Sequence, residues 1–233
     1  MNEFKRLENC NKSLWDDTKM KLRIVYDNEA DEGFLNGWGF SCLIETAREK
    51  VLFDAGWDGN ILLHNLKRFG VGREEIDVIV ISHTHWDHVG GITHILHPQV
   101  VVHLPDSSSP RLKEEIARRA KRVETKPLSI AEHIYTTGEF KSGKEQALVI
   151  ETRVGLLVVT GCAHPGLETI LDAARAFGDV CGLIGGFHGF NRYEYIGDLS
   201  MIIPCHCTRY KTRVKEVFGE RCRECKTGMA IEI

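Results

Sequence analysis

Two consecutive blocks of similar grammar predict an α/β chain in which two mixed sheets pack face to face with helices outside. In each block, short valine- and isoleucine-rich runs fall first at hairpin spacing and then alternate with helix-like stretches. The first block predicts strands near 21–27, 39–45, 50–54 and 76–82. Its helix, near 58–69, places Ile61, Leu62, Asn65, Leu66 and Phe69 along one stripe. The second block predicts strands near 147–152, 156–160, 180–184 and 201–203, with helices near 166–178 and 208–218. The segment 104–127 departs from this grammar. It begins Pro105-Asp106-Ser107-Ser108-Ser109-Pro110 and continues as a Lys/Arg-rich helix, so a helical flap is expected there. No linker or low-complexity stretch divides the chain, and a single domain over 1–233 is expected.

Composition agrees with a globular enzyme. A chain of 233 residues can bury a full core, and its net charge of −3 with 27% charged residues calls for no nucleic-acid partner. No apolar run approaches the roughly 20 residues of a membrane span. The start Met1-Asn2-Glu3-Phe4-Lys5-Arg6 has mixed charge and no apolar core behind it, so a cytoplasmic protein without a membrane partner is expected. The eight cysteines are scattered, with Cys42 and Cys181 inside apolar runs, which favours reduced thiols. Cys205, Cys207, Cys222 and Cys225 contain one Cys-x-x-Cys pair and raise a structural zinc site. Cys-x-Cys is a poor knuckle spacing, however, and free thiols or an opportunistic disulfide are preferred.

The chemistry is concentrated in Ser82-His83-Thr84-His85-Trp86-Asp87-His88, directly after the strand-like run Ile76–Ile81. Imidazole and carboxylate together suit zinc, iron or manganese, whereas calcium takes oxygen ligands. A compact loop can aim His83 and His85 at one ion and Asp87 and His88 at a second. A polar turn that merely capped a strand would not need four such residues at this spacing. Further ligands are available where later strands end: His164 in Thr160-Gly161-Cys162-Ala163-His164-Pro165-Gly166 and His206 in Pro204-Cys205-His206-Cys207-Thr208. His188, in Gly185-Gly186-Phe187-His188-Gly189, follows a strand in the same way. It reads either as a proton donor or phosphate contact or as an ordinary loop histidine. His64, His94, His97, His103 and His133 lack a strand-end context and are expected on the surface or on helix faces. The basic run from Arg111 to Lys126 would attract an anion, although with Glu114 and Glu115 beside it a solvated helix face is the plainer reading.

The His-x-His-x-Asp-His loop resembles the signature of the metallo-β-lactamase superfamily of metal-dependent hydrolases. The Thr-Gly-Cys-x-His-Pro-Gly, Gly-Gly-Phe-His and Pro-x-His-Cys-Thr segments resemble one branch of it, as do Asp27-Asn28, Trp38-Gly39-Phe40-Ser41 and Leu52-Phe53-Asp54-Ala55-Gly56. That branch includes dihydropterin–ribofuranosylaminobenzene-phosphate synthases of methanopterin biosynthesis. The resemblance runs from about Lys21 to the C-terminus and implies an αββα sandwich with metals at one edge of the sheets. It also implies that Asp54 orients the metal loop.

One departure stands out. Many members carry an aspartate that bridges the metals where this chain has Cys162. Cysteine there would bridge, ligate one metal or stay idle. With no histidine between His133 and His164, His164 must complete the first site. The expected cofactors are two divalent transition-metal ions, zinc before iron or manganese, held by His83, His85 and His164 and by Asp87, His88 and His206. A water between such ions has its pKa lowered toward roughly 7, and the hydroxide would attack a phosphoester, lactone or thioester. Asp87 and His188 are the catalytic candidates, and a small anionic substrate, phosphorylated or pterin-like, is the expected partner. Two other readings stand: a pterin/phosphoribosyl-aminobenzene synthase, and a ligand-binding protein of the same fold with little turnover.

Overall fold

Alternation along the strands decides which side of each sheet faces which layer. The computed structural model describes residues 20–233, so the mixed-charge start at 1–6 lies outside the described residues. The first half contributes β1 (Lys21–Tyr26), β2 (Ser41–Glu45), β3 (Lys50–Phe53), β4 (Val78–Val80), β5 (Val101–His103) and β6 (Arg122–Glu124). The second half contributes β7 (Ser129–Ala131), β8 (Ile134–Thr136), β9 (Leu148–Thr152), β10 (Gly155–Thr160), β11 (Val180–Gly186) and β12 (Met201–Cys205). A last strand, β13 (Ala230–Glu232), returns to pair with β1. One sheet runs β13-β1-β2-β3-β4-β5-β6 and the other β12-β11-β10-β9-β8-β7. Both are mixed, as expected: β1 to β3 are antiparallel and β3 to β6 parallel, while β9 and β10 are antiparallel and β10 to β12 parallel.

Alternate residues of the two sheets meet in one core. Leu22, Ile24, Cys42, Ile44, Val51, Phe53, Val78 and Val80 pack against Leu148, Ile150, Leu157, Val159, Ile184 and Ile203. Each such side chain, fully buried, contributes roughly 1.5–3 kcal/mol. The intervening residues face outward and are covered by helices. Over the first sheet lie α1 (Gly59–Arg68), α2 (Trp86–Val89), α3 (Ile92–Ile95) and α4 (Pro110–Ala117), which bury Leu62, Leu66, Val89, Ile92, Ile95 and Ile116 against Leu43, Leu52 and Ile79. Over the second lie α5 (Leu167–Arg175) and α6 (Lys211–Phe218), with Leu167, Ile170, Leu171, Val214 and Phe218 against Val149, Val158 and Leu183. The result is an αββα sandwich.

Helix α1 starts where Asp58 caps the backbone N–H groups of Asn60 and Ile61 and ends on Lys67 and Arg68, which suit the negative end of the dipole. Its buried face carries Leu62, Asn65 and Leu66 of the stripe. Asn65 is fully buried because its amide donates to Val25 O and Leu35 O and accepts from Leu35 N, tying the 27–40 loop to the helix.

The segment 104–127 carries the crossover from β5 to β6. Helix α4 buries Ile116 against the outer layer, and 122–124 extends the sheet as a parallel edge strand. Its arginines are occupied locally: Arg118 pairs with Glu115 at 2.7 Å and Arg119 donates to Thr93 O at 2.6 Å. Two histidines expected on the surface are buried instead. His103 is the last residue of β5, and His97 holds Ile76 O at 2.9 Å. Among the described residues, no helix is long and apolar enough to cross a membrane.

Candidate metal centre

Parallel pairing brings the C-terminal ends of β3, β4, β10, β11 and β12 to one edge of the sandwich. Because β1 and β3 both run antiparallel to β2, the end of β1 arrives there too. The loops that follow carry Asp27 and Asn28, Asp54, His83 to His88, Cys162 to His164, His188, and His206 with Cys207. Several of these turns pass through a left-handed backbone at a non-glycine residue: Asp54 (φ 59°), Ala163 (58°), His188 (47°) and His206 (40°). Such conformations cost of order 1–3 kcal/mol and persist where surrounding contacts hold them.

Those contacts can be named. Asp54 is fully buried and accepts the Ser82 N–H, the Ser82 hydroxyl and the His88 Nδ1–H at 2.7, 2.7 and 2.6 Å. Since the Ser82 hydroxyl donates to Asp54, it accepts from His83 Nδ1 at 2.9 Å. Asn28 Oδ1 accepts from His206 Nδ1 at 3.0 Å, and Asp27 Oδ1 from the His206 backbone N–H at 2.7 Å. Each of these rings is fixed through Nδ1, which leaves Nε2 and its lone pair facing inward.

Two groups of facing atoms result. His83, His85 and His164 present nitrogens within 4.8 Å of one another, and Asp87, His88 and His206 form a second group by the same measure. Extended backbone at His85 sends His83 and His85 to one side, and the short turn of α2 then turns Asp87 and His88 toward the end of β12. His83 Nε2 lies 3.1 Å from His85 Nδ1, and His206 Nε2 lies 3.1 Å from Asp87 Oδ2. Trp38, more than half exposed, donates from Nε1 to Asp87 Oδ2 at 3.0 Å and sets its ring edge-on to His206. All six residues expected as ligands therefore meet at this edge.

Burial pushes His83 and His88 down to about 3, so both are neutral at physiological pH. Burial alone would raise Asp87, but the His206 hydrogen bond holds its carboxyl well below the usual range. Burial lifts Asp54 to about 7 against the pull of His83 and Ser82. Imidazoles with converging nitrogens, a carboxylate and thiols are a transition-metal donor set, and they fit such ions better than calcium or magnesium.

Glu145 escaped the sequence reading. It is fully buried, and its two oxygens accept the N–H groups of Cys162, Ala163 and His164 at 2.8, 2.9 and 3.0 Å as well as the His164 ring at 2.8 Å. Burial would raise it, yet these bonds and His83 hold it down to about 2. Its one signal was an acidic side chain set directly before the apolar run that opens β9. Glycines let the two sheets meet here: a Cβ on Gly161 would lie 2.2 Å from the Ser82 hydroxyl.

His188 belongs to neither group. It is exposed, 5.3 Å from the His164 ring between centroids, and lines a cleft of about 330 Å³ with His164, Gly166, Phe187 and Asn191. A second cleft, of about 520 Å³, is lined by Lys126, Lys141, Lys144 and Gln146. It adjoins the centre, because Gln146 bonds the backbone of Ile81 and Ser82 and a Cβ on Gly143 would touch His164. The four C-terminal cysteines do not converge. Cys205 and Cys225 lie by Asp27, while Cys207 lies with Cys162 and His206. All seven described cysteines are free thiols.

An αββα sandwich carrying paired histidine-rich groups at its strand ends is the architecture of a metal-binding hydrolase fold. The chain belongs to the metallo-beta-lactamase superfamily, whose family model matches residues 39–164. Members of this fold family bind divalent metals. The chain is 28% identical over 238 residues to an uncharacterized protein of Methanocaldococcus jannaschii, covering 83% of this chain and 93% of the relative. It is 26% identical over 211 residues to that organism's 7,8-dihydropterin-6-methyl-4-(beta-D-ribofuranosyl)-aminobenzene-5'-phosphate synthase, covering 66% of this chain and 72% of the relative. Among solved structures, the fold matches Tm1679, described as a metal-dependent hydrolase of the beta-lactamase superfamily, with a TM-score of 0.76 and 23% identity over 92% of this chain and 99% of that one.

Proposed function

We propose that the protein is a metal-dependent enzyme that hydrolyses a small anionic ester, a phosphoester, lactone or thioester, with two divalent transition-metal ions, zinc first. The carrying observation is the pair of convergent groups, His83/His85/His164 and Asp87/His88/His206, with four of the five rings pinned through Nδ1 by Ser82, Asp54, Glu145 and Asn28. Bound there, the ions would activate water and neutralise charge that builds on the scissile group.

The chain's own residues supply the rest. Glu145 and Asp54 keep the rings in register before substrate arrives, so little reorganisation is needed at the moment of reaction. Lys126, Lys141 and Lys144 draw the anionic end of the substrate toward the cleft beside His164. The exposed Trp38 indole, held on Asp87, offers an apolar wall to the rest of the substrate. His188 stands at the other side of His164, where its ring can hand a proton to the leaving group or contact phosphate. The partner is a small molecule, phosphorylated or pterin-like, rather than nucleic acid or a membrane.

A second reading is favoured by the relative named a synthase. In it, the same centre holds a phosphoribosyl substrate and assists its condensation with a pterin precursor. Turnover of the metal-loaded protein on a panel of phosphoesters, lactones and thioesters, beside a phosphoribosyl-aminobenzene and pterin pair, separates the two. No turnover on either arm, with tight binding of one compound, would leave a ligand-binding protein.

A further inference from the structure

Cys162 stands where the two ligand groups meet. Its Sγ lies 3.1 Å from His88 Nε2 and within 4.8 Å of the ligand atoms of His83 and His88 on one side and of His206 and Cys207 on the other. It therefore neighbours both the first group, through His83, and the second, through His88 and His206. The thiol is 4% exposed, and its place is set by the backbone. The N–H groups of Cys162, Ala163 and His164 are all held by Glu145, which fixes the direction in which the Cys162 side chain leaves the turn. Gly186 makes room on the far side, since a Cβ there would fall 2.6 Å from Cys207 Sγ and 3.2 Å from Cys162 Cα.

Charge supplies the second line of argument. The six residues of the two groups face the centre with five imidazole rings and one carboxylate, Asp87. Asp54 and Glu145 lie behind the rings and are already spent on N–H and O–H donors. Two dications close together need more negative charge than one facing carboxylate provides. Among the described residues, the Cys162 sulfur between the groups is the side-chain atom placed to supply it to both.

We propose that Cys162 is a shared thiolate ligand of both metal sites, an inference that rests on the two-metal reading above. On ligation, the S–H proton passes to solvent and sulfur–metal bonds form, with no change of oxidation state. A shared soft donor biases the centre toward zinc, cobalt or iron and away from manganese and magnesium. Cys207 is grouped with Cys162 and His206 alone, so it is a neighbour of the bridge and not required for it.

The test is titration of the reduced, metal-free protein with Co(II), read by the near-ultraviolet thiolate-to-cobalt charge-transfer band and by bound metal. A shared thiolate makes the band grow over both the first and the second equivalent. Cys207→Ser keeps the band and Cys162→Ser loses it, while Cys162→Asp restores two bound ions without it. Two ions bound with no band, a band that grows over one equivalent only, or a full band in Cys162→Ser would overturn the assignment. Failure to bind any cobalt would instead overturn the two-metal reading itself. The wild-type titration decides the matter even if a variant fails to fold.

Discussion

The two candidate ligand groups are built from different materials. His83, His85 and His164 are three imidazoles, of which His85 is exposed and His164 half-buried, and their nearest counter-charge is Glu145, one step behind His164. Asp87, His88 and His206 carry their charge on a ligand, and both rings are buried, anchored on Asp54 from the first sheet and on Asn28 beyond β1. A group that borrows its charge from behind depends on the contacts of Glu145 and Ser82 to stay in register. A group with a charged member depends on that member itself. The same outcome, a bound ion, should therefore fail in different ways at the two places.

His206→Ala gives the largest expected effect, loss of bound metal and of activity together, since it removes a proposed ligand and the ring that Asn28 and Asp87 hold. Metal analysis beside turnover checks it. His188→Ala should retain metal and lose turnover by roughly 10²–10⁴-fold if it acts as general acid. A metal ion shed from that variant would make His188 a ligand and break the division of roles. Glu145→Gln should weaken metal at the first group by about 10–100-fold while sparing the second, as removal of a ring-orienting partner does elsewhere. Equal weakening at both would mean that Glu145 merely holds the turn. Trp38→Ala should change little in the metal and cost about 1 kcal/mol of substrate binding, read as a several-fold rise in KM.

Strand length explains much of what could be read from the sequence. Strands β2, β3, β9, β10 and β11 lie inside their sheets, and their runs of valine, isoleucine and leucine announce them. Strands β5, β6, β7, β8 and β13 span three residues each, too short to show a period, and they form through pairing with neighbours. That blindness produced the surface or helix-face assignment of His103. At the site, the candidate ligand histidines could be picked out because four metal-capable groups in one loop have few other uses. Glu145 was not, because one acid in a polar loop looks like any solvated residue until folding buries it under three N–H groups. Cys162 was visible, but its place between the groups needed both sheets.

Metal stoichiometry in Asp87→Ala tests the paired centre most directly, because Asp87 is the only anion among the six facing residues. After loading with zinc, the wild-type chain should hold two ions and the variant one, with His83, His85 and His164 still occupied. Zero ions in the wild type, or two in the variant, would contradict a centre built from these two groups.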